Sequence, residues 1–248
     1  MLYPHLQLLV SGGNSQLIYL RSWKDFEIIG ATLDDAAGEC FDKVGRMLGL
    51  LYPGGVYLSR IAGLEDKNIL KFPVSMKDSN DYNFSFSGLK TAVRYYLEKF
   101  EFENGEHFIL EKKLNSSEID FLINHNLAQI EKIYAKNSLI TNIENTPKIK
   151  TESQTEDDLN FELLLIVKKA CITVQSVIVE ALLNKVDKAT ATLEVESIGL
   201  SGGVSANPLL RQKLQQKYGN ILLLAPKALT GDNAVMIGLA GILEWKNR

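Results

Sequence analysis

The chain has 248 residues, 46% of them apolar and 23% charged, with a formal net charge of −3. That is apolar material for one large core or two small ones. No apolar run reaches the roughly eighteen residues of a membrane span, and the opening residues lack the charged-then-apolar order of a signal peptide, so the expected location is the cytoplasm with no membrane partner. The weakly acidic balance supplies no broad basic field, and contact with nucleic acid would have to use a local patch or a partner subunit. Cys40 and Cys171 stand far apart, in no metal-ligand spacing, which fits buried reduced thiols rather than a disulfide framework.

In chain order, Leu6 to Val10, Gln16 to Leu20 and Phe26 to Gly30 are short apolar or alternating runs between turn residues, the pattern of an antiparallel meander. A helix is predicted over Asp34 to Leu50, with acidic residues at its start and Ala37, Phe41, Val44, Met47 and Leu48 at helical spacing. Tyr52-Pro53-Gly54-Gly55 breaks it, and Val56 to Ala62 begins another. Phe84 to Phe100 reads as a turn feeding a helix. Residues 101 to 160, rich in Lys, Asn, Glu, Ser and Thr, read as a partly disordered surface insertion. Within it, Asn115 and Glu118 form a capping-box pattern ahead of one amphipathic helix, and 145 to 160 reads as a mobile linker. A long apolar-striped helix is predicted over Phe161 to Lys188. Strand, Gly-Gly turn, helix with Pro208 near its first position, strand and a closing helix over Gly231 to Lys246 complete the chain. The resulting class is α/β, in βββαβαβα order with a helical insertion, similar to the ribonuclease-H-like subdomain that actin-like ATPases (the ASKHA fold) duplicate.

Ser-Gly-Gly-x-Ser occurs twice, at Ser11 to Ser15 and Ser201 to Ser205. Each copy follows an apolar strand, where glycine lets backbone N–H groups approach an anion, and the second also feeds a helix N-terminus. Tight turns need glycine in any case, so one such turn is weak; two at equivalent points of an α/β order are stronger. Asp42 is either a solvated residue of the first helix or a ligand contact. Gly55 is either a helix breaker or a ligand contact, and Asp232 either an N-cap or one metal ligand. His5, His107 and His125 have no paired spacing. Neither His-Glu-x-x-His nor Gly-x-Ser-x-Gly occurs, which leaves zinc-hydrolase, metallopeptidase and serine-triad chemistry without a motif.

Five stretches together, "LLVSGGNSQL", "GATLDDAAGECFDKVGRMLGLLYPGG", "FSFSGLKTA", "SGGVSAN" and "TGDNAVMIGLAG", resemble the TsaD family of tRNA threonylcarbamoyladenosine transferases, in the family's order and over most of residues 1 to 248. The resemblance implies an actin-like fold and transfer of the threonylcarbamoyl group from threonylcarbamoyl-AMP to the exocyclic amine of the adenosine 3′ of the tRNA anticodon. It implies that Leu9, Val10, Ser11, Gly12, Gly13, Asp42, Gly55 and Asn207 bind the substrate: the first loop at phosphate or carbamoyl oxygens, Asp42 and Gly55 at the ribose, Asn207 on the adenine side. Asp232 matches the family's metal aspartate, for one divalent iron or zinc per subunit, and no catalytic residue is assigned. Implied partners are tRNA, a degenerate paralogue and a small ATPase.

Three departures stand out. The family's Ser-Gly-Gly-His-Thr is Ser11 to Ser15 here, with Asn14 and Ser15 in the last two places, and its Thr-Asp-Asn-Gly-Ala is Gly231 to Val235. The resemblance starts beyond the family's first subdomain, so the two metal histidines expected there have no counterpart in this sequence, and His5 does not match them. The isolated chain is accordingly expected to lack half of its nucleotide cleft and to be inactive. A non-catalytic actin-like paralogue serving as a scaffold is the alternative, against which the retained Asp42, Asn207 and Asp232 stand.

Overall fold

The computed structural model describes residues 2–100, 113–137, 156–231 and 234–246. They divide into two compact units, the first made of 1–39, 76–85 and 181–248, the second of 40–75 and 86–180.

The first unit holds the sheet. Its strands are β1 (His5–Val10), β2 (Ser15–Leu20), β3 (Phe26–Ala31), β4 (Ser197–Ser201) and β5 (Leu222–Leu224), in the order β3-β2-β1-β4-β5. β1 pairs antiparallel with β2 and β2 with β3, whereas β1–β4 and β4–β5 are parallel. This mixed order is that of the ribonuclease-H-like unit read from the sequence. Alternation decides the faces: Leu6, Leu8 and Val10 on β1 and Leu17 and Tyr19 on β2 are buried. β3 is an edge strand that leaves Phe26 and Ile28 exposed. At Gly30 a Cβ would collide with the Tyr82 carbonyl, so glycine lets the segment Met76–Ser85 cross there. That segment is secured by Thr32 bridging Phe84, and by Lys185, a buried cation. The Lys185 ammonium donates to Met76 O at 2.8 Å, Ser79 Oγ at 2.6 Å and Asp81 O at 3.0 Å. Burial pushes this lysine below its ordinary range, and the nearby Asp81 carboxylate opposes the shift.

The helices are α1 (Ala37–Met47), α2 (Gly54–Ala62), α3 (Ser87–Leu97), α4 (Ser116–Asn124), α5 (Leu127–Asn137), α6 (Glu156–Thr192), α7 (Pro208–Tyr218) and α8 (Ala234–Lys246). In the second unit α6 is apolar nearly all round, and Leu163 to Val167 are buried in succession, as an all-round apolar helix must be. Its buried polar groups are matched by the chain beyond α2. Gln175 donates to Gly63 O at 2.9 Å, and Thr173 and Ser176 hydroxyls accept from the Leu70 and Lys67 N–H groups. Lys168 donates to Ile61 O at 2.5 Å and Leu122 O at 3.1 Å, placing a cation at two helix C-termini. Both cysteines are free and buried, as expected, and burial pushes the Cys171 thiol well above its usual range.

The single amphipathic helix expected after Asn115 is two. The Asn115–Glu118 capping box starts α4, and a second reciprocal pair starts α5: Asn126 N–H donates to Gln129 Oε1 and Gln129 N–H to Asn126 Oδ1. Ile119, Leu122, Leu127 and Ile130 of the pair are buried in the second unit. His125 ends α4, its ring stacked on Phe121 at 4.3 Å. α6 begins at Glu156, within the stretch expected to be linker; His107 and the rest of that linker lie outside the described residues. α8, in the first unit, exposes apolar side chains around its circumference, Ile237 at 67% and Trp245 at 75% among them. No helix among the described residues is long and apolar enough to cross a membrane.

Glu162 on α6 is buried, and burial raises its carboxyl above the ordinary glutamate range. The folded chain therefore binds this proton more tightly than the unfolded chain. The group favours the folded state at low pH and loses that contribution as pH rises through its raised value. Glu162→Gln is expected to stabilise the chain by on the order of 1 kcal/mol at pH 8 and to change little near pH 4, as read by urea unfolding at the two pH values.

Candidate functional site

The first diglycine turn is closed by the Ser11 N–H, which donates to Asn14 O at 2.7 Å. The Ser11 hydroxyl accepts from Asn14 N–H at 2.9 Å and, more weakly, from Gly13 N–H at 3.3 Å. Ser15 is fully buried, and its hydroxyl accepts the Ala37 N–H at 2.8 Å, while Gly38 N–H donates to Ser11 O at 3.1 Å. The opening amides of α1 are thus satisfied by the hairpin between β1 and β2, which is why the helix starts at Ala37 and not at Asp34. Gly38 is required by the same contact, since a Cβ there would press on Ser11 O and the Gly12 backbone.

The second turn follows β4. Gly202 has φ +88°, a conformation that favours glycine, and a Cβ on it would collide with the carbonyl of Val10. A 3-10 turn over Gly203–Ala206 leads to Asn207, whose side-chain oxygen accepts Leu210 N–H at 2.9 Å and caps α7, with Pro208 at the first helical position. Arg211 ties this turn to the end of β5, donating to Ser205 O at 3.1 Å and Ala225 O at 2.7 Å. The Ser205 hydroxyl is fully buried and has no hydrogen-bond partner among the described residues.

Parallel pairing places Leu9 opposite Ser201, so the two turns leave neighbouring strands at the same end of the sheet and touch at Val10 and Gly202. Added Cβ atoms on Gly12, Gly13 and Gly203 would meet nothing within 4 Å, so both turns border open space. Adjacent glycine turns at the carboxyl ends of parallel strands, one feeding a helix, form a place for an anionic group. Val10 is buried and Leu9 half-buried beneath it.

Asp42 and Gly55 belong to the second unit, where they meet directly: Gly55 N–H donates to Asp42 Oδ1 at 2.7 Å. Asn207 is buried and acts as a helix cap. Asp232 lies outside the described residues, and among those described no group of three or more His, Cys, Asp or Glu stands together as a metal site. Sequence reasoning missed the roles of Ser15, Gly38, Gln7 and Gly199. The last two had a signal: His5-x-Gln7 on β1 and Ser197-x-Gly199-x-Ser201 on β4 are period-two polar sets in otherwise apolar strands.

Residues 2–239 match the profile of TsaD, tRNA N6-adenosine threonylcarbamoyltransferase. The chain belongs to the TsaD family. Proteins named tRNA N6-adenosine threonylcarbamoyltransferase are similar to it in Thermosipho africanus (35% identical, covering 98% of this chain and 58% of the relative), in Oenococcus oeni (33%, 99% and 55%) and in Bacillus subtilis (32%, 99% and 55%). The chain therefore spans 55–58% of the length of these relatives. Membership fits the two diglycine turns and the mixed sheet that carries them.

Gly202→Ala tests the junction of the turns, because it adds a Cβ both at positive φ and against Val10. It is expected to destabilise the chain by about 2–4 kcal/mol, whereas Gly203→Ala, facing open space, is expected to cost less than about 1 kcal/mol. Thermal and urea unfolding of the two variants give the comparison.

Proposed function

We propose that this chain supplies the nucleotide-holding part of a tRNA threonylcarbamoyltransferase. The observation that carries the reading is the adjacency of the diglycine turns, which turns two weak motifs into one place for a phosphate. The substrate is threonylcarbamoyl-AMP, and the acceptor is the exocyclic amine of the adenosine 3′ of the tRNA anticodon. In the transfer the amine nitrogen bonds to the carbamoyl carbon and loses a proton, the bond from that carbon to the phosphate oxygen breaks, and AMP leaves. Backbone N–H groups and hydroxyls at the turns lower the barrier by stabilising charge that grows on the departing phosphate. Ser11, Gly12 and Gly13, resting on Leu9 and Val10, hold the phosphate or carbamoyl oxygens. Asp42 and Gly55, neighbours through the Gly55 N–H on Asp42 Oδ1, are proposed to take the ribose. Asn207 lies toward the adenine.

The divalent iron or zinc of the resemblance does not fit the described residues, which offer no ligand set, and Asp232 alone is one carboxylate where a closed site of this kind uses about four ligands. Asp232 is proposed as a contributor to a site completed by the remainder of the family architecture. That remainder is also the proposed cover for α8: relatives are much longer than this chain, and a helix apolar on every side is stable only when buried. The degenerate paralogue and small ATPase are proposed as partners in the cytoplasm.

Transfer to tRNA, measured with threonylcarbamoyl-AMP, is expected to be negligible for the chain alone. It is expected to appear when the complementary portion of the Thermosipho africanus relative is added. Full activity of the chain alone would refute the shared assembly; no transfer from the mixture, with both parts folded, would count against the activity itself.

A further inference from the structure

A line of side-chain hydrogen bonds runs along one face of β1 and β4 to the second diglycine turn. His5 Nδ1 meets Ser197 Oγ at 2.8 Å, His5 Nε2 meets Gln7 Oε1 at 3.2 Å, and Gln7 Nε2 donates to Ser201 Oγ at 2.9 Å. The register makes this possible, with His5 opposite Ser197, Gln7 opposite Gly199 and Leu9 opposite Ser201. Glycine at 199 is what admits Gln7, because a Cβ there would overlap the Gln7 amide oxygen and crowd His5 Nε2.

One contact fixes the orientation of the Gln7 amide. Gln7 Nε2 also donates to Leu8 O at 3.2 Å, and a carbonyl only accepts, so the NH2 end of the amide faces Leu8 and Ser201. The Gln7 oxygen then faces His5 Nε2, which must carry a hydrogen. At the far end the Ser197 hydroxyl donates its one hydrogen to Leu2 O at 2.5 Å and accepts the Leu2 N–H at 3.1 Å, so that hydrogen points away from His5. His5 Nε2 and Gln7 Nε2 both donate toward Ser201. Such ordered chains polarise one another and strengthen the last donor.

Ser201 Oγ receives the Gln7 hydrogen on a lone pair, and its own hydrogen has no acceptor among the described residues. Half-buried, it stands at the end of β4 beside Gly202, where the two turns meet. Four residues on, the fully buried Ser205 hydroxyl of the same turn has no hydrogen-bond partner among the described residues.

We propose that Ser201 is a ligand-binding residue whose hydroxyl Gln7 holds as a hydrogen-bond donor to an anionic phosphate oxygen. This rests on the nucleotide reading of the site, and the test separates the two. The probes are AMP and adenosine, which differ only in the phosphate, titrated calorimetrically into the full chain. Ser201→Ala is expected to weaken AMP about tenfold and leave adenosine unchanged, as loss of one charge-assisted hydrogen bond does. Ser201→Thr, which keeps the hydroxyl, is expected to restore AMP binding, and Gln7→Leu to weaken AMP several-fold. Unaltered melting temperatures confirm that the variants fold. If Ser201→Ala weakened both probes equally, or neither, or if Gln7→Leu left AMP binding intact, the assignment would be overturned while the nucleotide reading stood. A wild-type chain that bound neither probe would overturn both.

Discussion

Everything at the candidate site depends on the parallel pairing of β1 with β4. The pairing sets Leu9 opposite Ser201, so the strands end together and the turn after each begins beside the other. Gly202, at positive φ against the Val10 carbonyl, makes the join close. A shift of this register by one residue would move every side chain to the opposite face and separate the turns. The sheet order follows the same logic. A hairpin joins β1 to β2 at the first diglycine turn, while β4, which pairs parallel with β1, follows directly after α6 in the chain.

The surrounding contacts keep the turns in shape. Ser15 and Ser11 take the opening amides of α1, and Asn207 takes an opening amide of α7. A helix start next to each turn is therefore capped by residues of that turn. Capping uses Ser15, Asn207 and the Ser11 carbonyl for structure, leaving the half-buried Ser201 hydroxyl at the junction of the turns for a ligand. Lys185 performs a comparable task inside the first unit, where its three hydrogen bonds to Met76–Ser85 replace the water that a buried ammonium lacks.

Much of this was legible in the sequence. Period-two alternation located the first three strands, and the repeated Ser-Gly-Gly-x-Ser marked both turns. What escaped has physical causes. The start of α1 is decided by Ser15, twenty-two positions earlier in the chain, and no local pattern contains that information. The break between α4 and α5 had a local sign, the Asn126 and Gln129 pair, hidden because the apolar spacing continues through it. The acidic opening of α6 reads as linker by composition, although acidic residues suit a helix N-terminus. Gly55 reads as a helix breaker until its N–H is seen on Asp42, a contact that spacing alone does not give.

The two diglycine turns, joined at Val10 and Gly202, are proposed to act as one anion-binding place. Titrating AMP into protein labelled at glycine nitrogen and following the amide resonances by NMR tests it directly. The amides of Gly12, Gly13, Gly202 and Gly203 are expected to shift together along one binding curve. Shifts confined to a single turn, or to neither, would contradict it.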